Sequence, residues 1–171
     1  MTTGLLNQVD NFLRGLIPVT LTLFFVILGV LPYGVPFLAT IFPALALISV
    51  YYWSIHRPEL FPATAVFAIG FIQDILSGSP LGLTAFILLL VHGFIVNQRR
   101  VFLGKSFLVA WWGFGLVAIG ATLVSWLIAS LFNEMVMEPL SVFMQLCTTV
   151  AVFPAFSWLF AKLQGGLMRQ Q

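Results

Sequence analysis

Apolar residues fill this chain in long blocks, and the breaks between blocks are short and rich in proline, glycine or charge. From Gly15 to Ile55 there is no charged residue. As one helix this run of about 41 residues would extend about 60 Å, twice the hydrocarbon thickness of a bilayer, so it must fold back on itself. Pro32-Tyr33-Gly34-Val35-Pro36 supplies the break, because two prolines flanking a glycine disfavour helix on both sides. The spans that follow from this pattern are about 16–31, 37–55, 60–77, 81–97, 106–132 and 139–161. Tyr51, Tyr52 and Trp53 close the second span, where they are expected to form an interfacial aromatic belt. Ahead of the first span, Leu5, Leu6, Val9, Phe12, Leu13 and Leu16 recur at helical spacing opposite Asn7, Gln8, Asp10, Asn11 and Arg14. Residues 1–15 are therefore expected as a short helix lying in the interface. A cleaved signal peptide is the rival reading of the first span, but the apolar run is long and lacks a small-x-small cleavage site before a polar mature start.

Composition turns this pattern into a class. The 171 residues are 61% hydrophobic and 7% charged, with a mean hydropathy of +1.10. The reading is an all-α integral membrane protein with six transmembrane helices in one domain, residues 1–171, embedded in the lipid bilayer. A net charge of +2 with seven scattered Lys and Arg leaves no footprint for nucleic acid. Their positions do report orientation. With six spans, the N-terminus, the 56–59 turn, the 98–105 loop and the C-terminus share one side, and all seven basic residues fall there. The opposite loops, 32–36, 77–81 and 133–138, hold no Lys or Arg and carry Glu134 and Glu138. The positive-inside rule then puts both termini in the cytoplasm. The single Cys147 excludes an internal disulfide and offers no metal-ligand spacing.

The residues with candidate chemistry are few. Asp74 is the only acidic residue inside an apolar span, and it sits just before the Gly78-Ser79-Pro80 turn. A carboxylate in hydrocarbon is costly and needs a partner. Gln73 and Asp74 lie in the outer half of the third span. Ser141, Gln145 and Thr149 lie in the outer half of the sixth, aligned at i+4 steps, with Thr148 beside them. Two readings stand: an outward-facing polar cavity for a ligand or peptide, or interhelical hydrogen bonds that satisfy a buried carboxyl. His92 lacks an acidic residue at its depth for a proton relay, which favours a neutral imidazole hydrogen-bonded within the bundle. Ala121, Ser125 and Ala129, at four-residue intervals in the fifth span, allow a helix to approach closely, either within the fold or from a partner. No HExxH, GxSxG, phosphate loop or carboxylate pair is present, so no catalytic residue, metal site or cofactor is expected.

One stretch carries a resemblance. Asp74, followed by Leu76-Ser77-Gly78-Ser79-Pro80-Leu81-Gly82 in a six-span chain of this size with short loops, resembles the MreD family of bacterial rod shape-determining proteins. Gly78, Pro80 and Gly82 form its turn motif. The resemblance implies a non-enzymatic scaffold in the inner membrane that binds MreC and supports lateral peptidoglycan synthesis. Its further partners would be RodA and a class B penicillin-binding protein, with MreB engaged indirectly. The family is also similar in fold to the substrate-binding S components of energy-coupling-factor vitamin transporters, which gives an alternative function. Those components typically dock through an Ala-x-x-x-Ala motif on the first span, and VTLTLFFVILG here lacks it.

Overall fold

The apolar blocks fold as helices in a computed structural model that describes residues 2–31, 42–133 and 138–168. Among these residues there are six α-helices: α1 (Thr2–Val30), α2 (Leu45–His56), α3 (Ala63–Ser77), α4 (Leu83–Phe102), α5 (Phe107–Asn133) and α6 (Pro139–Met168). One 3-10 turn, Pro58–Leu60, links α2 to α3. Helices α4, α5 and α6 are each long and apolar enough to cross a membrane, while Leu16–Val30 of α1 and the whole of α3 are shorter apolar segments. The chain is an all-helical, multi-pass membrane protein.

Three boundaries differ from those read in the sequence. The N-terminal residues do not form a separate short helix, because Thr2–Val30 runs as one. In the described part of the second span, expected at 37–55, Phe42, Pro43 and Ala44 are not helical and the helix starts at Leu45. Residues 37–41, like the 32–36 break, lie outside the described residues. The sixth helix continues past 161 to Met168.

Helix α2 is the centre of the fold. Every side chain from Leu45 to Ile55 is buried, and α1, α4 and α6 pack around it. A helix that is apolar on all sides is a core helix. The aromatic belt expected at Tyr51, Tyr52 and Trp53 therefore presents no surface outside the protein; all three are at most 3% exposed. Tyr51 meets Phe114 and Phe153 edge-on at 5.1 and 5.6 Å, and those two rings stack at 4.3 Å. The Tyr51 hydroxyl donates to the Ala110 carbonyl of α5 (2.9 Å). This crowding explains Gly113: a Cβ there would run into the Phe102 ring and come within 2.9 Å of the Tyr51 hydroxyl.

With 12 residues, α2 rises about 18 Å, little more than half the hydrocarbon thickness. It fills one half of the bundle's centre and starts inside the protein.

Candidate functional site

Asp74 belongs to a hairpin of α3 and α4. Gly78 and Gly82 both adopt left-handed backbone (φ 68° and 91°), which glycine reaches without strain. They let the chain turn within Gly78–Gly82. The residue before α4 is Gly82, which has no side chain to cap the four free N–H groups of a helix start. The cap comes from the preceding helix. Asp74 Oδ2 accepts from the N–H of Gly82 (2.9 Å), and its two oxygens accept from Thr84 N–H at 3.1 and 3.2 Å. Ala85 N–H lies 3.5 Å from Oδ2. Leu83 N–H goes to the Pro80 carbonyl (3.1 Å), so each amide of the first turn has an acceptor. A carboxylate at a helix N-terminus also gains from the helix dipole. Asp74 is fully buried, and among the described residues its depth is made affordable by three backbone amides rather than by another side chain.

The hairpin closes through Gly70. A Cβ on Gly70 would overlap the backbone of Ala85, so only glycine lets α4 come close enough for Asp74 to reach its amides. Sequence reasoning passed over Gly70, although its position one helical turn before Asp74 was the available signal.

Gln145 and Thr149 do not reach Asp74. Gln145 Nε2 donates to the Phe42 carbonyl (3.2 Å), and Thr149 Oγ1 accepts from Ala44 N–H (3.0 Å) while donating to the Gln145 carbonyl (2.7 Å). Their role is to satisfy the irregular backbone at the start of α2, which is tolerated at membrane depth only where protein groups replace water. Ser141 is half-buried one turn away. Thr148 donates to its own helix at Met144 (2.9 Å). Gln73 Oε1 is buried with no partner among the described residues. The polar residues read as one group are thus divided between a cap on α4 and a clamp on α2.

Beyond the N-terminus of α2, where the central helix does not reach, lies a cavity of about 600 Å³. Its described walls are the C-terminal parts of α1 and α3, the start of α4, and the facing sides of α5 and α6. Gln73 and Gln145 both stand on its wall, while Asp74 lies behind it. Ala121, Ser125 and Ala129 line it from α5, and the Ser125 hydroxyl is spent on the Ala121 carbonyl (2.8 Å). The small side chains make room for this space. The outward side of the same helix is instead large and apolar, with Trp112, Leu116 and Leu131 more than 70% exposed.

His92 sits on the other side of α2. Its Nδ1 is 2.7 Å from Ser54 Oγ, which is itself 2.6 Å from the Val50 carbonyl. A hydroxyl has one proton, and the carbonyl only accepts, so the ring contributes the Nδ1–H. The imidazole is a hydrogen-bonded core residue between α2 and α4.

Comparison with known proteins gives one result. A family model described as rod shape-determining protein MreD matches residues 10–163. No curated protein and no solved structure matches the chain.

Proposed function

Because the chain belongs to the MreD family of rod shape-determining proteins, we propose that it is a membrane adaptor of the cell-elongation machinery in the bacterial inner membrane. It binds an MreC-like bitopic protein. Through that partner it supports lateral peptidoglycan synthesis by RodA and a class B penicillin-binding protein, with MreB engaged indirectly. The observation that carries this reading is the family match over residues 10–163. The family is one of shape-determining membrane proteins rather than of enzymes, and the same match favours this reading over vitamin transport.

The architecture supports it in one further respect. The connections after α3 and α4 are tight turns, Gly78–Gly82 and Leu103–Ser106, so a partner meets the sides of helices rather than a folded loop domain. Affinity purification of the full chain in mild detergent, followed by mass spectrometry, tests the proposal. It is expected to recover a protein with one transmembrane segment and a large extracytoplasmic domain. Recovery of ATPase subunits of a transporter in its place would overturn it.

A further inference from the structure

The cavity above α2 has a chemistry that the adaptor reading does not use. None of its described lining residues is Asp, Glu, Lys, Arg or His. The one carboxylate nearby, Asp74, is consumed by the amides of Gly82, Thr84 and Ala85. A charged ligand group would therefore find no counter-charge among these residues, and burying it there is strongly unfavourable. The wall is nevertheless not an oily one. Thr84 on α4 and Thr122 on α5 both line the space, and each brings a hydroxyl that can donate. Ala46 and Leu47 are also on the wall, at the start of α2, and their N–H groups have no backbone acceptor among the described residues. These groups offer donors, and Phe25, Leu45, Ile87, Leu88 and Trp126 supply apolar surface around them. The volume lies within the range of small-molecule sites.

We propose that this cavity binds an uncharged amphiphile taken from the bilayer, with a carbonyl or hydroxyl acceptor directed at Thr84, Thr122 and the open amides of α2, and an apolar remainder among the surrounding side chains. The inference does not depend on the adaptor role. Its ligand class follows from what the described wall holds: donors for an uncharged acceptor, apolar surface for a tail, and no residue among those described to neutralise a charge. The bilayer is the source because the walls are the membrane helices themselves.

The test uses the full chain, with Cys147→Ser, in phosphatidylcholine nanodiscs, and 1,2-dioctanoyl-sn-glycerol as the probe. Thr122→Cys reports from inside the cavity and Leu103→Cys from outside it. The rate of maleimide labelling at position 122 is expected to fall at least fivefold and saturably as the probe is added, with no change at 103. Dioctanoyl phosphatidate, which adds a phosphate to the same chains, is expected to leave both rates unchanged. If Thr122→Cys does not fold, Ser125→Cys reports from the same wall. No slowing at either cavity position, equal slowing at 103, or equal protection by the phosphatidate would each overturn the proposal. Native mass spectrometry supplies a second reading: the probe retained by the unsubstituted chain should be lost from Ala129→Phe, and its retention there would place binding elsewhere.

Discussion

At the scale of single residues, Asp74 shows how a costly group is made tolerable. Among the described residues its two oxygens meet only N–H donors, from Gly82, Thr84 and Ala85. Asp74→Asn keeps one acceptor but turns an NH₂ group toward those donors, and it removes the attraction to the helix dipole. Asp74→Leu removes both acceptors. The expected order of stability is Asp, then Asn, then Leu, with Asn costing about 1–3 kcal/mol and Leu more, since hydrogen bonds to charged groups are worth about 1.5–3 kcal/mol each. Thermal unfolding in detergent checks this, and an Asn variant as unstable as Leu would show that the charge, rather than the acceptors, carries the interaction. The sequence made Asp74 conspicuous because a carboxylate in an apolar span needs a partner. It pointed to Gln145 as that partner because side chains are what a sequence displays. The actual partners are main-chain amides eight to eleven residues onward, reachable only because Gly70 lets Ala85 approach. Close approach of two backbones leaves almost no mark in composition.

At the scale of elements, the short central helix is what periodicity could not resolve. The uncharged run 15–55 marks two passes of the chain, but the described residues Phe42 to Ala44 are not helical and α2 starts at Leu45, and uniform hydrophobicity gives no signal for where a helix begins. The i+4 ladder on α6 was legible as inward-facing, yet its target, the backbone of Phe42 and Ala44, was not. Thr149→Val should remove the acceptor of Ala44 N–H in the bundle, and Gln145→Leu should remove the Gln145 donor from the Phe42 carbonyl. Each is expected to cost about 1–3 kcal/mol, read as earlier thermal unfolding and faster amide exchange at the start of α2. Unchanged stability in both would mean that the clamp is dispensable. Helix α5 provides a contrast along its length. Ser125→Leu projects into the cavity and should leave a monodisperse protein, whereas Gly113→Ala drives a Cβ against Phe102 and Tyr51 and should cost about 1–3 kcal/mol, the usual range for overpacking. The small-residue spacing 121, 125, 129 was readable in the sequence, but whether it faces a helix or an empty space depends on how far α2 extends.

At the scale of the whole molecule, the two ends of the bundle differ in chemistry, and contacts fix which segments share an end. Arg99 at the end of α4 pairs with Glu59 of the 3-10 turn at 3.4 Å, and Tyr52 on α2 donates to Gln164 near the end of α6 at 3.2 Å. The turn also packs against α1. Both groups of the Arg99–Glu59 pair are substantially exposed, so the pair adds little stability; its value is as a marker of the basic end. The Asp74 cap and the Gln145 clamp mark the opposite end. If the basic end is cytoplasmic, as the positive-inside rule requires, cysteines at the two ends should differ in access from outside the cell. Leu81, 68% exposed in the α3–α4 turn, and Glu138, exposed before α6, are suitable at one end. Arg100 and Lys105, both exposed, are suitable at the other. In a Cys147→Ser background, Leu81→Cys and Glu138→Cys should react with an impermeant maleimide in intact cells, and Arg100→Cys and Lys105→Cys only after the membrane is opened. Labelling of Arg100→Cys in intact cells would invert the orientation and place the mouth of the Asp74 hairpin on the cytoplasmic side.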